Sequence, residues 1–316
     1  ALRERGATNA PASPSGALDS MKRLLRRAGL VLAGLATFVA CAVLGAFAAS
    51  EVMLRRSYPK APVTIAAATD PGAVARGRQV ALLNGCHDCH GDRMEGRLFH
   101  DEMPIVRAWG PNLTRIAAVQ TDAELDRAIR HGVAGDGRTL WIMPSEAFAR
   151  LDDAEVADLL AYIRSFPQTG EDQPGLQVGP VGRLGLLLGK FDSAPALLIK
   201  EGDVALPELG AQHARGRRLA RTCIECHGAD LTGREALQAP DLTMAASYEI
   251  EDFERLLHTG IAAGDREIGL MTGAARSRFR HLSHEDVQAL HEYLKARADK
   301  LLSTDKIAAT ATLPNP

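Results

Sequence analysis

The chain has 316 residues, enough for two modest domains that each bury a core. Its formal net charge is -2, so no basic excess points to nucleic acid as a partner. Aromatic residues make up only 4%, which is lean for two cores, and a large apolar group filling each of them would make that scarcity less surprising.

Residues 1–27 read as a cytoplasmic tail, flexible over its first 20 residues, which are rich in Ala, Pro, Ser and Gly; Met21 offers a second candidate translation start. From Ala28 to Ser50 run 23 residues without a charge, and about 20 apolar residues span a bilayer as a helix. Lys22, Arg23, Arg26 and Arg27 precede this run, so the positive-inside rule puts the N-terminus in the cytoplasm and the rest outside. A signal peptide cleaved near Ala46-Phe47-Ala48 competes with this reading, as does a weak lipobox at Phe38 to Cys41 that would lipidate Cys41. We read the segment as a retained single-pass anchor, followed by a linker over 51–70.

Beyond the linker the chain repeats itself. "ARGR" occurs at Ala75–Arg78 and at Ala214–Arg217; "CHDCH" at Cys86–His90 answers "CIECH" at Cys223–His227. "GPNLT" from Gly110 matches "APDLT" from Ala239, and His131 and His258 are paired ahead of Gly-rich turns. "LDDAEVADLLAYIR" from Leu151 matches "LSHEDVQALHEYLK" from Leu282, both with helical periodicity and acidic first turns. Two copies of one mostly helical domain are therefore expected, at 71–167 and 208–300, with alternating strand patterns nearly absent. The intervening segment 168–207 carries too many Leu to be a solvated linker and is expected to pack on one or both domains. Residues 301–316 read as a flexible tail.

Four of the five cysteines form the two CxxC pairs. A zinc site could pool their four thiolates, but leaves His90 and His227 idle. A thioredoxin-like dithiol needs a preceding strand that the pattern lacks. Haem attachment uses every residue: two thiols add to the porphyrin vinyl groups, and the adjacent imidazole reaches the iron. That reading is favoured, and the external topology agrees with it.

At this point the chain resembles class I cytochromes c, specifically membrane-anchored dihaem proteins with two such domains in tandem. The resemblance covers Pro71 to Phe166 and Glu208 to Ala298, and implies an all-α fold of small helical bundles around two covalently attached haem c groups. It implies attachment at Cys86, Cys89, Cys223 and Cys226, with His90 and His227 as axial ligands. For the opposite axial position, Met143 in "WIMPSEAF" resembles the family's Met-Pro motif; Met103, also followed by Pro, is a rival, and Met94 is better read as core packing. In the second copy the choice lies between Met244 and Met271. Met143 and Met271 fall 30 and 29 residues after Leu113 and Leu242, so the repeat selects that pair. The carbonyls of Pro111 and Pro240 match the position that accepts a hydrogen bond from the proximal imidazole. Trp109, Trp141, Tyr162 and Tyr293 are candidate haem-packing aromatics, and Arg138 and Arg266 candidate propionate partners. His87 is expected to point away from the iron; His100, His131, His213, His258, His281 and His284 read as surface or helix-end residues, and His291 replaces Leu160.

The resemblance implies an electron-transfer protein rather than an enzyme, on the periplasmic side of a bacterial inner membrane. Its partners would be a membrane redox complex, of which it could be a subunit, or a soluble donor or acceptor. A dihaem peroxidase and a haem-based gas sensor are the alternatives, and both require an open iron position.

Overall fold

The computed structural model of the protein describes the backbone of residues 14–59, 62–202 and 204–311, and side chains within 20–303. The parts of the expected tails at residues 1–13 and 312–316 lie outside the described residues. The chain divides into two compact units, Ala1–Met53 and Leu54–Pro316. The first is built on α1 (Pro14–Leu54). Within it Ser20–Leu54 is long and apolar enough to cross a membrane. Leu30, Val31, Leu32, Phe38 and Leu44 are all more than half exposed, and they cover every face. A helix in the core of a soluble protein would bury at least one of those faces. The expected flexible tail is thus helical from Pro14, a residue suited to a first helical turn.

In the second unit each copy is held together by one helix crossing. α2 (Ala73–Leu83) leads into the single turn α3 (Cys86–His90). After it come β1 (Arg97–Glu102), β2 (Val106–Gly110), α4 (Leu113–Val119), α5 (Asp122–His131), α6 (Ser145–Phe148) and α7 (Asp153–Arg164). α2 crosses α7 at Gly77, where an added Cβ would lie 1.9 Å from the Asp158 carbonyl oxygen. Asp158 also accepts from Arg76 at 2.6 and 2.7 Å, and Tyr162 packs over the crossing.

The second copy repeats this with α10 (Ala214–Ala220), α11 (Ile224–His227), α12 (Ile250–Thr259), α13 (Leu270–Ser277) and α14 (His284–Ala311). Gly216 meets the Ala289 carbonyl oxygen at 2.0 Å from its virtual Cβ and Tyr293 takes the place of Tyr162. The repeated "ARGR" therefore marks the glycine that lets two backbones touch. Helix α14 runs through Ala311, past the expected end at 300, because Ala, Leu and Lys sustain it and no Gly or Pro interrupts it.

Strands do occur, against expectation, in the first copy. β1 and β2 form an antiparallel hairpin from Arg97↔Gly110 to Glu102↔Val106, and β3 (Gln177–Val178) joins β2. The second copy keeps only the bottom rung, Arg234↔Ala239. The hairpin is an eight-residue insertion between equivalent positions. It carries no clear alternation because β1 is almost wholly exposed, so no buried face imposes a period of two. A short pair, β4 (Ile261–Ala262) with β5 (Arg266–Glu267), follows α12.

The segment between the copies packs as its Leu content suggests. Its helices α8 (Pro180–Leu187) and α9 (Ala194–Glu201) lie on the first domain through Gly179 N–H to the Ile105 carbonyl (2.9 Å) and Ala194 N–H to the Leu140 carbonyl (2.8 Å). Glu201 then reaches Arg234 of the second domain at 2.5 Å.

His291 is a buried side chain of α14, stacked on Phe253 with centroids 5.0 Å apart and donating from Nε2 to the Tyr248 carbonyl at 3.0 Å. Burial holds its pKa below the usual histidine value of 6.5.

Two outcomes are expected. Gly77→Ala or Gly216→Ala should lower unfolding stability by about 1–3 kcal/mol or more, read from the denaturant midpoint, since the clash is with backbone. As pH falls below 6.5 the unfolded state takes up the His291 proton first, so stability is lost down to the lowered folded value. His291→Leu, the first copy's residue type, should therefore lose less stability than the parent between about pH 7 and pH 5 in denaturant titrations at each pH.

Candidate functional site

Each CxxCH motif folds as one helical turn with the same terminus. Gly91 (φ 82°) and Gly228 (φ 83°) end the turns, their N–H groups donating to His87 O and Ile224 O at 3.1 and 3.0 Å. Gly96 N–H then closes on His90 O at 2.7 Å, and Gly233 N–H on His227 O at 2.8 Å. Left-handed backbone at these points favours glycine, and the reversal brings the following chain back beneath the histidine.

Four residues beyond each histidine sits a residue that the sequence reading undervalued. Met94 and Leu231 are fully buried, have φ of 60° and 64°, and offer their carbonyls to Leu113 N–H (2.8 Å) and Leu242 N–H (3.0 Å). Met94 thus serves as a core and backbone anchor whose counterpart is not even a sulfur residue. The detectable signal was its fixed spacing from His, which an absence of identity concealed.

The Pro-x-Leu-Thr loops do two things at once. His90 Nδ1 lies 3.0 Å from the Pro111 carbonyl oxygen, and His227 Nδ1 lies 2.7 Å from that of Pro240. A carbonyl only accepts, so Nδ1 carries the proton and Nε2 keeps its lone pair. Burial lowers both histidine pKa values, which keeps the rings neutral. The next residue caps the following helical segment: Asn112 Oδ1 accepts from Thr114 N–H at 3.1 Å, and Asp241 Oδ1 from Thr243 N–H at 2.7 Å. Leu113 and Leu242 pack against the core.

Met143 and Met271 occupy equivalent places. Gly132 and Gly260 end α5 and α12 in left-handed conformation; Val133 pairs with Thr139 and Ile261 with Glu267; each methionine follows four residues later. Both pack against the hydrophobic core, as do Cys86 and Cys223, whereas Met103 and Met244 are 48% and 47% exposed. The same frame corrects one pairing: His258 matches Arg130, not His131. Arg130 Nη1 donates to Leu151 O (3.5 Å) and His258 Nε2 to Leu282 O (3.1 Å), while Thr259 stands opposite His131. An adjacent Thr had shifted the register of the histidines by one.

Other candidates fall outside this geometry. Tyr162 and Tyr293 pack at the helix crossings; Tyr162 OH lies 3.2 Å from His87 Nε2, and Tyr293 OH donates to Pro207 O at 3.2 Å. Trp141 Nε1 donates to Leu54 O at 3.2 Å, and Trp109 lies in β2. Arg138 pairs with its neighbour Asp136 at 2.7 Å, and Arg266 is exposed in β5. His100 and His284 are exposed and His213 is half-buried. His281 ends the 3-10 turn Phe279–His281, its carbonyl accepting from Gln79 of the first domain at 2.9 Å.

The donor set fits covalently held haem. None of the four motif cysteines is in a disulfide, and burial pushes Cys86 and Cys223 up to about 12 and Cys89 to about 11. Among the described residues no three His, Cys, Asp or Glu side chains converge to share a metal ion. Each histidine presents an Nε2 with no protein hydrogen-bond partner among the described residues.

Comparison with known proteins agrees. The cytochrome c family model matches residues 74–167 and 213–298, more than half of the chain. Over 286 residues the chain is 27% identical to the fructose dehydrogenase cytochrome subunit of Gluconobacter japonicus, covering 80% of this chain and 58% of that protein. Over 102 residues it is 34% identical to the cytochrome c subunit of the quinone alcohol dehydrogenase of Gluconacetobacter polyoxogenes, covering 29% of this chain and 22% of that protein. The same figures hold for the corresponding subunit of Komagataeibacter europaeus. The chain thus spans less than two thirds of the length of these relatives. It belongs to the cytochrome c family, whose domains imply covalently bound haem c.

Proposed function

We propose that this cytochrome c family chain is a membrane-anchored dihaem electron carrier, serving as the cytochrome subunit of a dehydrogenase or respiratory complex on the periplasmic face. The observation that carries the reading is the repetition of one complete site: a CxxCH turn, an imidazole fixed by a proline carbonyl, and a methionine in the same frame of each copy. When bound, each haem supplies a one-electron iron couple.

The protein's own part is attachment, ligation and exclusion of water. Cys86 and Cys89 would hold the first haem by thioether bonds, and Cys223 and Cys226 the second. The Nδ1–H bonds orient His90 and His227 and increase the basicity of the coordinating Nε2. Met143 and Met271 would supply the second iron ligand of each haem, and a thioether in that role would raise the potential. With two protein ligands per iron no position would stay open, which disfavours peroxidase and gas-sensor chemistry. The exposed apolar helix α1, with its basic N-terminal flank, supports a single-pass anchor with the haem domains outside the cytoplasm. That anchor confines the carrier near membrane partners and raises its effective concentration there. Relatives named as cytochrome subunits of fructose and alcohol dehydrogenases support a dehydrogenase partner.

The test is a haem count by pyridine haemochrome, followed by an optical redox titration of the full chain. Two haems and two waves are expected. Met143→His should lower one wave and Met271→His the other, each within the roughly 0.8 V that axial ligands control, with loss of that haem's methionine–iron charge-transfer band. Met103→Leu and Met244→Leu should leave both waves in place. One haem per chain, or a high-spin ferric fraction that binds carbon monoxide when reduced, would overturn the reading.

A further inference from the structure

The two CxxCH turns are joined by a residue that belongs to neither. Asp88 and Glu225 hold the same place in their motifs, immediately before the second cysteine. Both carboxylates turn to one guanidinium: Arg278 Nε donates to Asp88 Oδ2 at 2.7 Å, and Arg278 Nη1 to Glu225 Oε2 at 2.5 Å. Ser277 Oγ adds a 3.4 Å contact to Asp88. Arg278 is 16% exposed, so its charge is poorly screened by solvent. Neither carboxylate has another cationic partner among the described residues.

Two features show that this contact is built in. Gly85, just ahead of the first motif, has φ 66°, and a Cβ there would sit 2.2 Å from Arg278 Nε. Its counterpart Thr222 lies in a 3-10 turn, Arg221–Cys223, and carries a side chain. Arg278 also lies in the one stretch where the second copy is longer, since Met271 to Leu282 exceeds Met143 to Leu151 by three residues. The arginine is therefore absent from the common domain plan and present where the copies must meet.

Resting on the two-haem reading above, we infer that Arg278 is an electrostatic bridge shared by both haem-attachment loops, raising the reduction potential of both haems at once. The thioether cysteines lie beside these carboxylates in sequence, so the arginine's charge acts close to both attachment points. Reduction adds an electron to each iron, and a nearby positive charge favours it while an uncompensated carboxylate opposes it. The domains also have other ties that survive loss of this one. Gln79 donates to the His281 carbonyl at 2.9 Å, and Arg221 binds Glu155 at 2.9 Å and the Arg150 carbonyl.

The experiment compares Arg278→Gln, Arg278→Lys and Arg280→Gln in the full-length haem-loaded chain, by haem count and redox titration. Arg280 is exposed two residues away and controls for loss of a surface charge. The expected result is two haems in every variant, with both waves shifted to lower potential in R278Q, restored in large part in R278K and unmoved in R280Q. If R278Q does not mature, Glu225→Gln gives the same reading with opposite sign, raising both waves. Movement of only one wave, or equal shifts in R278Q and R280Q, would overturn the bridge while leaving two haems standing. A parent chain with one haem would instead overturn the two-haem reading, and the bridge with it.

Discussion

The proton that each CxxCH histidine shares with a proline carbonyl is the constraint around which the domains are arranged. It fixes the tautomer and the ring plane together, so the free nitrogen can point in only one direction. For the carbonyl to stand there, the loop must be pinned on both sides. The asparagine or aspartate after the proline does so by capping the next helical segment. From the other side, the left-handed glycine after the histidine and the buried Met94 or Leu231 carbonyl bring the chain back under the ring. A short stretch of backbone thus preorganises the imidazole without relying on a deep shell of side chains.

Duplication preserved that arrangement and allowed change around it. The eight residues added between Gly96 and Pro111 extend a single rung into a hairpin, and the interdomain chain adds a third strand. They enter where the loop faces outward, so the histidine–carbonyl bond is unchanged. In the second copy three residues are added before the last helix, and they carry the arginine that meets both motif turns. The close backbone contacts at Gly77 and Gly216 tolerate neither kind of change, and both copies retain them.

Much of this was legible beforehand because the chemistry is local. The cysteines, histidine and following glycine of each motif lie within six residues, and the Pro-Asn/Asp-Leu-Thr loop acts within five. Helices at the "LDDAE" and "LSHED" segments announce themselves through acidic first turns, and the capping box at Asp152 and Glu155 is present as that pattern implies. The reading failed where a signal was weak or displaced. An exposed hairpin has no alternation to display, and a Thr beside His258 shifted the apparent repeat by one.

By itself the sequence determined the two repeats, their helical class, the two CxxCH motifs and an apolar segment long enough to span a bilayer, since each depends on residues near one another in the chain. Only the tertiary structure decided which methionines pack against the core and which are exposed, and why glycine recurs in "ARGR". It also decided that Asp88 and Glu225, 137 positions apart, share one guanidinium. Those facts depend on close approach between distant segments, and no spacing along the chain encodes a distance in space.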